Sequence, residues 1–277
     1  KNKKIPLILL NARLTKKTFD RWIKIKKFSV STFGKISIAF PQNIQTKKFL
    51  NRLNIRKVKI IGNLKFSESN FKNFNKISDK LNLELKKKKV WIASSTHINE
   101  EIFCARSHIE LKKKVKNLLT IIIPRHVNRV KDIAKDLQSL NLKTVIRTSK
   151  QKIKLDTDIY LVDTYGETKK FFNISKTTFI GGSLANHGGQ NPIEPARFGL
   201  NIIHGPYVRN FKDIFKFFAN KKISHKIRNQ NQLYEVAHKL LTKNNKIRLN
   251  LKKIGDSILK ESVVEVKSIL RHEIKKT

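Results

Sequence analysis

The chain has 277 residues, 39% of them hydrophobic, and its 61 basic against 20 acidic residues leave a net charge of +41. Such a length suits one large domain or two modest ones with real cores. No run of roughly 18 apolar residues exists to span a membrane, and the single Cys104 excludes an internal disulfide and fits a reducing compartment.

The charge favours polyanions such as nucleic acid, anionic lipid or a phosphorylated glycolipid. The excess of Lys, Asn, Ile and Phe is also that of an AT-rich coding sequence, and the lysines are spread rather than gathered in one stripe. The second explanation is the better one, so no nucleic-acid partner is expected.

Short apolar runs alternate with amphipathic stretches, which predicts α/β layers and parallel strands. A strand is expected at 5–10, a helix at 16–27 and a strand at 36–40. Pro41 is expected to open a helix to about residue 53, before a strand at 58–61 that stops at Gly62-Asn63. Residues 64–88 are polar and lysine-rich, with a helical stretch at 71–85, and approach a domain boundary. A second cycle then begins. Strands are expected at 90–94, 120–123, 144–147, 159–162 and 178–180. Helices are expected at 99–118, 127–140, 166–173, 192–198, 209–218 and 232–241. Residues 246–275 form a charged amphipathic helix or pair. Glu100 and Glu101 sit in a first helical turn, where the macrodipole favours acids, and Cys104 beside Phe103 and Ala105 is a packing residue.

Ligands of parallel sheets sit beyond the carboxyl ends of strands, and the chemically special segments fall there. Pro124-Arg125-His126 follows one strand; the Arg125 guanidinium matches a phosphate, while His126 is best read as a cap. Asp163-Thr164-Tyr165-Gly166-Glu167 follows another, with Gly166 at a helix start whose N–H groups are free. Glu167 there is equally a ligand contact or a first-turn acid.

Residues 181–206 are the most specific stretch, with six of the ten glycines, three of the six prolines and no lysine anywhere between Lys176 and Lys212. Glycine lets backbone N–H groups approach a ligand, and a helix start after Asn191 favours an anion. Glu194 suits a ribose diol and shares a face with Asn191. The same spacing also makes a capping box, which leaves Gly188 and Gly189 unexplained. His187 and His204 have no evident carboxylate partner and are not expected to act as bases. No zinc spacing or P-loop is present.

These segments resemble the bacterial 3-deoxy-D-manno-octulosonic acid (Kdo) transferases, in family order over most of the chain. They are Asn11-Ala12-Arg13-Leu14, Gly62 to Phe66, Trp91 to His97 with Glu100-Glu101, Pro124 to His126, and 181–206. The resemblance implies an α/β fold of the GT-B glycosyltransferase type, two Rossmann-like domains flanking a cleft. The expected division is 1–66 for the remainder of an acceptor-side domain, 67–88 for a linker, and 89–277 for the CMP-sugar domain with C-terminal helices.

It further implies a CMP-Kdo donor, a lipid A precursor as acceptor, and a place at the cytoplasmic face of the inner membrane, whose anionic surface is a partner. CMP would be held by Pro124 and Arg125, by Tyr165, Gly166 and Glu167, and by Asn191, Pro192, Ile193 and Glu194. Tyr165 stands where the family usually has methionine. Ser95, Gly182, Ser183, Gly188 and Gly189 would support the donor site. No cofactor or metal is implied. The family's general-base glutamate and membrane anchor lie upstream of the matching segments. With no methionine in the chain, the expectation is the downstream part of a longer protein, inactive alone. Two other classes remain: a GT-B transferase or epimerase using a UDP-sugar, and a basic nucleic-acid-binding protein.

Overall fold

The computed structural model describes residues 5–67, 77–242 and 250–274. The chain forms two compact units, Lys1–Phe71 with Asn250–Thr277, and Lys72–Leu249.

In the first unit β1 (Ile8–Ala12) pairs in parallel with β2 (Ile38–Pro41). Between them the stretch expected as one helix is two, α1 (Lys16–Lys24) and α2 (Lys26–Phe33), broken at Ile25. Pro41 ends the strand rather than opening a helix, because the pairing runs on through it and Gln42 N–H donates to the Ala12 carbonyl at 2.9 Å. The helix α3 (Ile44–Arg52) starts instead at Asn43, whose side chain caps Thr46 N–H at 2.7 Å. The strand expected at 58–61 is a single parallel bridge from Val58 to Ala39. Ala12, Ala39, Leu50 and Ile55 form the core of this unit.

The C-terminal helix (Leu251–Ile274) belongs to the same unit. Gly255 lets it lie directly on the 3₁₀ turn Leu64–Ser67, since a Cβ there would come within 1.9 Å of the Phe66 carbonyl oxygen. Lys59 adds ion pairs to Glu265 at 2.6 Å and Glu261 at 3.4 Å. The expected assignment of the tail to a domain spanning 89–277 therefore differs from the observed packing. So does the expected linker 67–88: α4 (Asp79–Lys86) packs Leu81 and Leu85 into the second unit's core. The first part of the helix expected at 71–85 lies outside the described residues.

The second unit is a sheet with helices on both faces. Its strands are β3 (Lys89–Thr96), β4 (Leu118–Pro124), β5 (Thr144–Ile146), β6 (Ile159–Leu161), β7 (Thr177–Ile180), β8 (Asn201–His204) and β9 (Ser224–Lys226). Every ladder is parallel, in the order β5-β6-β4-β3-β7-β8-β9. Besides α4, its helices are α5 (Glu100–Lys112), α6 (Val130–Ser139), α7 (Thr168–Phe172), α8 (Ile193–Arg197), α9 (Lys212–Asn220) and α10 (Gln230–Thr242).

The continuous apolar run in β3 reflects burial on both faces. Trp91 and Ala93 face a core with Cys104, Leu111, Ile133 and Leu233, while Val90 and Ile92 face one with Leu85, Phe171 and Phe172. The sequence did not signal β8 and β9: Asn201–His204 is short and flanked by loop-like residues, and Ser224–Lys226 has no apolar side chain. Pairing alone makes them strands.

From β3 the chain runs outward to β4, then returns to β7 on the other side of β3. This places the sheet's switch point at the carboxyl ends of β3, β4 and β7, where ligands of such sheets bind.

Gly255→Ala should destabilise the first unit by on the order of 2 kcal/mol, because the helix must shift off a backbone carbonyl. Denaturant unfolding checks this; a variant as stable as the parent would show that the helix is not held at this contact.

Candidate functional site

At the switch point lies a cavity of about 760 Å³, lined by Ser94, Ser95, Arg125, Gly166, Lys169, Asn191 and Glu194, with Thr168, Lys170, Phe172, Ile180 and Gln190 completing it. Four separate loops thus converge, as the parallel reading of the strands requires. Ser95 stands at a bulge in β3 and is held at φ 54°, a left-handed conformation that non-glycine residues rarely adopt. Gly181 permits this crowding: a Cβ on it would lie 2.1 Å from the Ser95 carbonyl oxygen.

The glycine-rich segment is organised by a carboxylate that the sequence suggested was only a first-turn acid. Glu100 is 2% exposed. It accepts backbone N–H groups from His97 (2.9 Å), Gly182 (2.7 Å), Ser183 (3.0 Å), Leu184 (2.9 Å) and Ala185 (3.2 Å). The N–H groups of Gly182 and Ser183, expected to support a donor, are therefore already occupied. Ser183 also ties β7 to β8, since its hydroxyl accepts Gly205 N–H at 2.9 Å and its carbonyl accepts Tyr207 N–H at 2.9 Å. Glu101 is buried as well and forms a two-pronged pair with Arg129 at 3.0 and 3.1 Å.

Gly188 and Gly189, left unexplained by the capping box, have φ of 88° and 75°. They form a tight turn against residues 207–210, and a Cβ on Gly188 would meet Asn210 Nδ2 at 2.6 Å. Neither lines the cavity.

The remaining expected site residues divide. Arg125 is exposed at the cavity, and its guanidinium makes no hydrogen bond or ion pair with the described residues. Pro124 ends β4 buried behind it. Gly166 lines the cavity with open space where a Cβ would be. Tyr165 is 72% exposed and does not line it. Glu167 does not either: it is held by Lys170 (2.7 Å), Arg147 (3.2 Å) and the Thr164 hydroxyl. Burial works against its charge, but the hydrogen bonds from Lys170, Thr164 and Arg147 prevail and hold it at about 2.

Asn191 accepts Ile193 N–H at 3.1 Å in the turn that leads into α8, whose N-cap position is Pro192, and Pro192 and Ile193 are buried. Glu194 does not reach back to complete a capping box; it pairs with Lys169 at 3.1 Å, at the cavity wall. Lys169, Lys170 and Gln190 were not anticipated. In a chain with 61 basic residues, nothing in the sequence singles out two lysines.

Among the described residues no helix is long and apolar enough to cross a membrane, and no group of His, Cys, Asp or Glu is arranged to hold a metal ion.

Comparisons with known proteins agree with this architecture. Over 96% of the chain the fold is similar to an α,α-trehalose-phosphate synthase (UDP-forming) from Burkholderia vietnamiensis, at 11% identity, 70% coverage of that chain and a TM-score of 0.51. The fold is that of GT-B glycosyltransferases. Residues 1–68 match the family model described as 3-deoxy-D-manno-octulosonic-acid transferase (kdotransferase). The chain is 31% identical over 261 residues to the 3-deoxy-D-manno-octulosonic acid transferase of Haemophilus influenzae, covering 93% of this chain. It is 26% identical to the C-terminal CMP-Kdo binding domain of WaaA from Acinetobacter baumannii, with a TM-score of 0.55, covering 64% of this chain and 90% of that one. Over most of its length the chain is thus similar to Kdo transferases. It spans 61% of the length of the Haemophilus relative.

Two outcomes test the site's construction. Glu100→Gln, which replaces one accepting oxygen by a donor that faces two or three of the five N–H groups, should cost about 3 kcal/mol of stability; an unchanged melting temperature would mean that the carboxylate does not hold the loop. For Glu167 the folded value of about 2 lies below the ordinary 4.5. Its pairing thus contributes fully above about pH 4.5 and fades as pH falls toward 2. The stability difference between the parent and Glu167→Gln should shrink across that window, and a pH-independent difference would contradict the ion pairs.

Proposed function

We propose that the cavity binds CMP-Kdo and that the chain is the donor-binding part of an enzyme transferring Kdo to a lipid A precursor, lipid IVA, in lipopolysaccharide synthesis. The observation carrying this reading is Arg125, a guanidinium free of partners among the described residues at the switch-point cavity, where both neighbouring lysines are already engaged by carboxylates. Similarity to Kdo transferases supports it, as does likeness to a domain described as CMP-Kdo binding.

In this reading Arg125, positioned by Pro124, takes the CMP phosphate in the forked geometry that guanidinium offers. Gly166 lets backbone approach the nucleotide closely, and Glu194 accepts the ribose hydroxyls, with Asn191 fixing the turn and Lys169 holding the carboxylate in place. A hydroxyl of the lipid attacks the anomeric carbon of Kdo. The new C–O bond forms as the bond to the phosphate oxygen breaks with inversion, and CMP departs with the electron pair. Arg125 stabilises the charge developing on the phosphate. The hydroxyl proton passes to a general-base glutamate, as the family resemblance implies. The charge of +41 favours work at the anionic inner-membrane surface.

Calorimetry with CMP and UDP tests the reading. CMP should bind and UDP should bind more weakly; tight UDP binding without CMP binding overturns the proposal in favour of a UDP-sugar enzyme. Arg125→Ala should weaken CMP binding by about 10- to 100-fold, the loss of a charge-assisted contact of roughly 1.5–3 kcal/mol. An affinity unchanged by that substitution would remove Arg125 from the phosphate site.

A further inference from the structure

Beside the cavity stands a group of hydrogen-bond donors that the nucleotide reading leaves unused. His97 follows β3, His126 follows Arg125, and His187 precedes the Gly188-Gly189 turn. The rings of His97 and His187 stack with centroids 4.3 Å apart and planes 20° apart, and His126 meets His97 edge-on at 5.8 Å. Gln190, part of the cavity wall, brings its Nε2 to within 3.3 Å of His97 Nε2. The other ring nitrogens of the three histidines have no hydrogen-bond partner among the described residues.

Among the described residues no carboxylate pairs with this group. The titratable neighbours that bear on His97 are His187, His126, Arg125 and Arg129, all basic residues. The two carboxylates of the nearby α5 turn are committed elsewhere, Glu100 to five backbone N–H groups and Glu101 to Arg129. Burial, followed by the neighbouring imidazoles and arginines, lowers His97 to about 4. It is therefore neutral near pH 7 and offers an N–H from one ring nitrogen.

A neutral sugar has no need of such a group, whereas a carboxylate leaving water needs several donors and no competing acid. We infer that His97, His126 and His187, with Gln190, form a subsite for the carboxylate of the donor's sugar acid, adjacent to the phosphate at Arg125. This rests on the reading of the cavity as a CMP-Kdo site and adds to it the groups that tell Kdo from a neutral sugar.

The test compares CMP and CMP-Kdo by calorimetry on the whole chain and on the double variant His126→Phe/His187→Phe, which keeps the ring packing and removes the ring nitrogens of both residues. The parent should bind CMP-Kdo at least 10-fold more tightly than CMP, and the variant should lose about 10-fold of that preference. A preference equal in parent and variant, or absent from the parent, overturns the subsite while leaving the nucleotide site intact. Failure of the parent to bind CMP at all overturns the reading of the cavity instead. If the double variant does not fold, the single His187→Phe is read by the same ratio.

Discussion

The cavity end of the second unit depends on one buried carboxylate. Glu100 gathers five backbone N–H groups, one from the turn after β3 and four from the turn after β7. Those two strands flank the switch point, so the carboxylate fixes the geometry of both cavity walls at once. Tight turns of this kind point several N–H groups inward with no carbonyl to receive them, and an unpaired buried N–H is costly. A single side chain satisfies all five, which lets the loop stay short, glycine-rich and free of other charge.

The same economy shapes the electrostatics around the cavity. Glu100 is consumed by backbone, Glu101 by Arg129, and Glu167 by Arg147, Lys170 and Thr164. Glu194 alone keeps its carboxylate at the wall, held by Lys169. Among the described residues Arg125 and the three imidazoles are left without acidic partners, so the field at the carboxyl ends of β3 and β4 favours an anion. The favourable potential thus owes less to the chain's large net charge, which is spread along its length, than to the local pairing of its few acids.

Much of the site was legible in the sequence because strand ends and polar loops are local features. The apolar runs ending at Ser94, Pro124 and Ile180 located three of the loops, and Arg125, Gly166, Asn191 and Glu194 do line one cavity. Other parts were not legible. Gly182 and Ser183 looked like ligand donors because a glycine-rich turn has the same composition whether its N–H groups meet a phosphate or a distant glutamate. Glu167 looked like either a ligand contact or a first-turn acid, and only the arrival of Arg147 from the turn after β5 shows it saturated by protein. The C-terminal helix carries an amphipathic pattern but no mark of which core it covers; Gly255 against Phe66 decides that.

The sequence by itself determined the α/β class, the parallel order of strand and loop, and the resemblance to Kdo transferases, since periodicity, turn residues and the motif at 181–206 are written along the chain. Tertiary structure alone decided which charges are spent and which remain. Pairings such as Glu100 with Gly182 or Lys59 with Glu265 join residues separated by 82 and 206 positions. Their strength comes from burial and approach in space, which no local pattern encodes.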